Sequence, residues 1–154
     1  LIQRIAQLTN KSNQFNLTTL RCSEDDIRAM AGDKNDLCLC GKLVDKFGDN
    51  GIVTVVAGRQ QGNVLDLTLW LMSCRVLKRG MEDAMMDTVV AEAAARGVKT
   101  IVGHYYPTAK NAMVREFYAQ YDFAKTAEDA DGNTEWTLDV AAYTPKHPHM
   151  KIER

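Results

Sequence analysis

Leu37–Val44 and Gly51–Arg59 are runs of β-branched and apolar residues, and Val64–Met72 alternates strictly, so three strands are predicted. Asp45–Asn50 and Gln60–Asn63 carry the glycine, aspartate and asparagine of turns, which makes the three strands antiparallel. In the third run Leu65, Leu67, Leu69 and Leu71 alternate with Asp66, Thr68, Trp70 and Met72, predicting one apolar and one mixed face. The period then changes. Met81, Ala84, Met85, Thr88, Val89 and Ala93 recur at helical spacing, so Gly80–Arg96 is predicted as an amphipathic helix stopped by Gly97. Thr100–Tyr105 reads as a strand, and Ala109–Tyr121 as a helix carrying Ala112, Met113, Phe117 and Tyr118. Trp136–Val140 reads as a strand paired with another near Phe123 across Asp131-Gly132-Asn133.

The front of the chain is less regular. Ile2–Leu8 predicts a short helix, Asn10–Asn16 is too polar to continue it, and Leu17–Cys22 suits a first strand. Ser23 caps a helix through Met30, with Glu24, Asp25 and Asp26 in its first turn and Gly32 at its end. The expected order is β-α-β-β-β-α-β-α-β-β with an extra N-terminal helix. That is a mixed α/β (α+β) fold, a mostly antiparallel sheet flanked by helices. We divide it into residues 1–16, a main domain over 17–141, and a tail over 142–154 that is expected to fray around Pro145–His149.

The chain has 154 residues, enough for a single domain with a real core. A net charge of -1 leaves no basic field for nucleic acid and no polybasic run for a membrane, and no apolar stretch of spanning length occurs. The start, Leu1-Ile2-Gln3-Arg4, is neither a signal peptide nor a methionine start, so a piece of a larger cytoplasmic protein is expected. Cys22, Cys38, Cys40 and Cys74 form no CxxC pair and are expected to be reduced, buried thiols.

Candidate chemistry concentrates between Val64 and Phe123. Cys74-Arg75-Val76-Leu77-Lys78-Arg79-Gly80-Met81-Glu82 lies where a strand hands over to a helix, the geometry that presents backbone N–H groups to an anion. Asn111-Ala112 and Phe117-Tyr118 follow on the next helical segment. Over Leu17–Val140 this resembles the GNAT acyltransferases. The resemblance implies a pantetheine arm in a gap between the strands at Val64–Met72 and Thr100–Tyr105, bonded by unpaired backbone groups. It also implies Asn111 at the opening of a helix and Tyr118 as the acid that protonates a departing thiolate. Packing of that segment on the sheet explains the two aromatic residues equally well. The family's phosphate pattern falls on Arg79, Glu82 and Ala84. Glu82 stands where those enzymes place a glycine against the coenzyme A pyrophosphate, so ordinary coenzyme A binding is expected to be weak or absent.

A more specific resemblance covers nearly the whole chain. Gln7-Leu8-Thr9-Asn10-Lys11-Ser12-Asn13-Gln14-Phe15-Asn16-Leu17-Thr18-Thr19, Phe47-Gly48-Asp49-Asn50-Gly51, Ser73-Cys74-Arg75-Val76, Arg79-Gly80-Met81-Glu82 and Tyr106-Pro107-Thr108-Ala109-Lys110-Asn111 are similar to the C-terminal domain of FkbH-like proteins. That family joins a haloacid-dehalogenase-type domain to a GNAT-like one and forms glyceryl-acyl carrier protein for methoxymalonyl or tetronate precursors. The resemblance implies an acyl carrier protein as partner, with its phosphopantetheine thioester held by Ser73, Arg75, Lys78, Arg79, Gly80, Glu82 and Asn111. An arm with one phosphate gives Glu82 a working role. Cys74 is then a candidate acyl-carrying nucleophile, with His104 on the neighbouring strand as its base; a structural thiol and a packing histidine are the alternatives.

Asn13, Gln14 and Asn16, with Asn10, form a run of amides that must hydrogen-bond something, either capping the sheet or lining the acceptor side of the cleft. Asp129–Thr134 reads as a hairpin turn; the twelfth position of an EF-hand loop would be Val140, so no metal is expected. Three readings stand: an FkbH-type glyceryl transfer domain, an N-acyltransferase using acetyl-coenzyme A, and a non-catalytic carrier-docking module.

Overall fold

The computed structural model describes residues 2–12, 14–32, 35–45, 48–73 and 81–146. Helices α1 (Ile2–Lys11) and α2 (Glu24–Gly32) precede strands β1 (Asp36–Asp45), β2 (Gly48–Gln61) and β3 (Val64–Met72). Helix α3 (Met81–Ala95), strand β4 (Thr100–Tyr105) and strands β5 (Ala124–Glu128) and β6 (Thr134–Asp139) complete it. The six strands form one sheet in the order β1-β2-β3-β4-β6-β5. Among the described residues only the β3–β4 pair is parallel, as a crossover through a helix requires.

Local signals explain the boundaries. The Ser23 hydroxyl accepts the Asp26 N–H at 3.1 Å while the Asp26 carboxylate accepts the Ser23 N–H at 2.9 Å, a reciprocal cap that starts α2. Those bonds hold the Asp26 carboxyl below its ordinary pKa. Gly97, at φ 77°, terminates α3 in a conformation that costs glycine little. At the β5–β6 turn Asp129 accepts the backbone N–H groups of Asp131 and Asn133, as the hairpin reading requires.

Two cores lie on opposite faces of the sheet. On one, α3 lays Met85, Met86, Val89 and Ala93 against Leu65, Leu67, Trp70 and Met72. On the other, Ile5, Leu8 and Ile27 of α1 and α2 pack on Val55, Ala57, Leu69 and Leu71. The leucines of β3 therefore do not share one face. The β2–β3 register shifts between Ala57 and Gly58: Ala57 pairs with Leu69 and Gly58 with Leu67, leaving Thr68 as an extra residue. This bulge reverses the alternation, and beyond it Leu69–Met72 are buried on both sides. Gly58 is required there, since a Cβ would sit 2.6 Å from the Asp66 carbonyl oxygen.

Several other expectations need correction. Leu17–Cys22 is not a strand; the nearest pairing is a single antiparallel bridge between Asn16 and Leu71. Ala109–Tyr121 is not one helix but two 3-10 turns, Ala112–Val114 and Tyr118–Tyr121, and Met113 is exposed. Asn111 interrupts the helix by turning its own side chain back onto the Thr108 N–H at 2.7 Å. Cys22 is buried, but Cys38 is half-buried and Cys40 exposed. The tail is anchored as far as Lys146, whose N–H donates to Asp87 at 2.9 Å; residues 147–154 lie outside the described residues.

Candidate functional site

β3 and β4 pair at Val64–Thr100, Leu65–Ile101 and Asp66–Val102 and then part. Beyond that point each strand turns backbone N–H and C=O groups into a widening fork, and α3 begins nine residues after β3 ends. A fork of this kind offers an extended ligand two strand edges to bond.

In this structure the chain itself takes those bonds. The Leu17 N–H donates to the Trp70 oxygen at 3.0 Å, and the Met72 N–H donates to the Phe15 oxygen at 3.0 Å. The Thr18 hydroxyl donates to the Thr68 oxygen at 2.8 Å. Across the fork the Tyr106 N–H donates to the Leu17 oxygen at 2.8 Å, and the Asn111 amide donates to the Asn16 oxygen at 3.0 Å. Residues 15–18 thus run between the parted strands. Phe15 and Leu17 are buried in the α3-side core, Phe15 meeting the Phe117 ring edge-on at 5.2 Å.

The sequence-chosen residues fall into distinct groups. Asn111 is fully buried and committed: besides Thr108 and Asn16 it bonds the Tyr106 oxygen at 2.9 Å, so it ties the segment, the end of β4 and the following turn together. Asn16 is also fully buried, its side chain accepting from the Thr19 N–H at 2.9 Å and donating to the Ser12 oxygen at 3.1 Å. These bonds shape the segment around Asn16. Gln14 is exposed. Asn13, Cys74, Arg75, Lys78, Arg79 and Gly80 lie outside the described residues, while Ser73 bonds Val53 through its N–H at 2.7 Å.

Tyr118 is buried among Trp70, Phe117 and Phe123, and its ring lies against Gly103 of β4. Burial, reinforced by the Asp66 charge, pushes its phenol well above the ordinary tyrosine pKa and keeps it protonated. His104 contacts Asp66 of β3, Nε2 to Oδ1 at 2.6 Å, and lies beside the Tyr106 ring. Glu82 and Asp83 both occupy the first turn of α3, and Asp83 accepts the Tyr121 hydroxyl at 2.7 Å.

Sequence reasoning passed over Asp66, Asp83 and Trp70. Asp66 could be found only from the β3–β4 register, which no local pattern carries. Trp70 is fully buried, and its indole N–H meets no acceptor among the described residues. A buried donor of this kind marks a place where a bound carbonyl would be welcome. Among the described residues no group of three or more potential metal ligands occurs, and no helix is long and apolar enough to cross a membrane.

Neither a protein-family model nor a curated protein sequence matches the chain. Solved structures do. The ribosomal-protein-S18-alanine N-acetyltransferase from Escherichia coli is 14% identical, with TM-score 0.66 over 90% of this chain and 87% of that one. The GNAT domain of S. lividans PAT is 15% identical, with TM-score 0.67 over 90% and 84%. The fold is the GNAT fold. Rv2747 from Mycobacterium tuberculosis, solved in complex with CoA, is 12% identical, with TM-score 0.67 over 90% and 93%. In this GNAT-fold chain the parted strands β3 and β4, α3 and the turns carrying Asn111 and Tyr118 follow one another in sequence between Val64 and Tyr121.

Proposed function

We propose that the chain is an acyltransferase domain that takes its acyl group from a phosphopantetheine thioester, either coenzyme A or the prosthetic arm of an acyl carrier protein. The observation that carries this reading is the fork between β3 and β4, with α3 launched just beyond it. An arm containing two amides can bond such strand edges as a peptide does. Structural likeness to acetyltransferases, one of them solved with CoA, supports the same reading.

Within it, Met72 would offer its N–H to the thioester carbonyl, and Tyr118, held protonated by burial, would return a proton to the thiolate. The Asp66–His104 pair is available to accept a proton from the incoming nucleophile. Coenzyme A would supply the activated acyl group, but the fit is incomplete, since Glu82 and Asp83 crowd negative charge at the start of α3. That acidity favours a carrier-borne arm with a single phosphate. The resemblance of the Gln7–Thr19 and Ser73–Glu82 segments to FkbH-like proteins supports a glyceryl thioester on a carrier protein, with a haloacid-dehalogenase-type domain elsewhere in the parent.

Calorimetric titration with acetyl-coenzyme A and with phosphopantetheinylated carrier protein tests the proposal. Binding of either thioester is expected, with the carrier preferred. Failure of both, in folded protein, refutes thioester transfer.

A further inference from the structure

Resting on that reading, the structure leads us to infer a gate: Phe15–Thr18 is a strap seated in the thioester arm's place, and it must lift before a donor binds. The strap holds the same groups that an arm would use. Trp70 gives its oxygen to Leu17, and Met72 gives its N–H to Phe15, so no donor can take either bond while the strap is in place. Asn16 bridges Leu71 as one strand residue bridges another, which leaves no width in the fork for a second extended chain.

Three features make the strap exchangeable rather than permanent. It is joined to β3 by one isolated bridge, not by a ladder. The bonds it gives up are backbone hydrogen bonds that the two amide groups of a pantetheine arm can replace, and the arm's gem-dimethyl group can cover apolar surface left by Leu17. Finally, the buried Trp70 N–H has no acceptor among the described residues with the strap seated, and the carbonyl-rich arm would supply one.

The gate has a measurable cost. Apparent donor affinity is reduced by the fraction of molecules whose strap is lifted. Phe15 anchors the strap against Phe117, so Phe15→Ala raises that fraction and tightens acetyl-coenzyme A binding by roughly a hundredfold. A lock is available as well. The bonds flanking Asn16 and Leu71 make them a non-hydrogen-bonded antiparallel pair, with Cα atoms about 4.5 Å apart, which suits a disulfide.

The experiment combines hydrogen exchange on the wild-type chain with binding of acetyl-coenzyme A and acetylated carrier protein to Phe15→Ala and to Asn16→Cys/Leu71→Cys. A saturating donor is expected to expose the Leu17 amide while Met72 stays protected. The oxidised double variant is expected to exclude donor, and its reduced form to admit it. A donor that binds with Leu17 still protected, or binds the oxidised and reduced lock equally, overturns the gate and leaves thioester transfer standing. If folded wild-type, Phe15→Ala and reduced double-cysteine proteins all ignore both donors, gate and thioester site fall together.

Discussion

Gly103→Ala isolates the contact that fixes Tyr118. A Cβ at position 103 would lie 2.5, 2.6 and 2.8 Å from three carbons of the Tyr118 ring. Carbon atoms rest about 3.5–4.0 Å apart, so the ring or the strand must give by about 1 Å. The ring has little freedom to do so, with Phe123 at 4.8 Å, Phe117 at 5.3 Å and Trp70 at 6.4 Å between centroids. Elsewhere in a strand alanine is favoured over glycine by about 0.5–1 kcal/mol, whereas overpacking a core costs about 1–3 kcal/mol. The expected net effect is a loss of about 1–2 kcal/mol. Urea denaturation followed by circular dichroism should show it as a midpoint lower by roughly 0.5–1 M at unchanged slope. In a Tyr118→Leu background the same change should cost at least about 1 kcal/mol less, because the ring atoms it strikes are gone. A Gly103→Ala protein as stable as the wild type, or equal costs in the two backgrounds, would refute the packing argument.

Further outcomes follow from charge and burial. Burial, with Cys40 nearby, pushes the Cys38 thiol up to about 11, so only about one molecule in a thousand carries its thiolate at pH 8. Its alkylation should therefore lag a model thiol by two orders of magnitude or more, as peptide mapping after iodoacetamide would reveal; parity with the model thiol contradicts this. Tyr118 has its folded pKa raised, so its contribution to stability is complete below about pH 10, where unfolded tyrosines ionise, and is lost as pH climbs towards the folded value. Urea midpoints between pH 8 and 11 should fall less steeply for Tyr118→Phe than for the wild type, and parallel curves would count against it. At about 5 Å and an effective dielectric near 20, a Glu82 carboxylate repels one phosphate charge by roughly 3 kcal/mol. Glu82→Gly should then tighten acetyl-coenzyme A binding about a hundredfold at low salt; unchanged affinity on calorimetry would show that Glu82 does not face the phosphates.

Much of the framework was legible because its signals are local. Ser23 with Asp26, Gly97 and the Asp129 turn each announce themselves through one side chain or one dihedral angle. The strand β3 has the predicted bounds, Val64–Met72, although its faces do not. What escaped was non-local. Phe15–Thr18 alternates like a strand, yet no property of those residues reveals that their partners are Trp70, Met72 and Tyr106. Asn111 was singled out as the opening of a helix and a contact for the phosphopantetheine arm, whereas its commitment to Asn16 depends on a contact ninety-five residues away. His104 was considered as a base for Cys74, whereas its described partner is Asp66 on the parallel neighbour.

The extra residue at Thr68 carries a consequence for how this protein tolerates change in length. Upstream of it, odd-numbered side chains of β3 serve the α3 layer; downstream, even-numbered ones do. Deleting Thr68 would remove the extra residue and put the strand back in phase, with Leu69 and Leu71 still facing α1 and α2 and Trp70 and Met72 still facing α3, whereas deleting Trp70 would send Leu71 and Met72 into each other's layers. Insertions at Gly62 fall at an exposed hairpin tip, while the neighbouring Asn63 carbonyl is held by the Lys99 and Thr100 N–H groups. A deletion scan along β3 should accordingly tolerate loss of the exposed Thr68 and reject loss of the buried Trp70 two residues on.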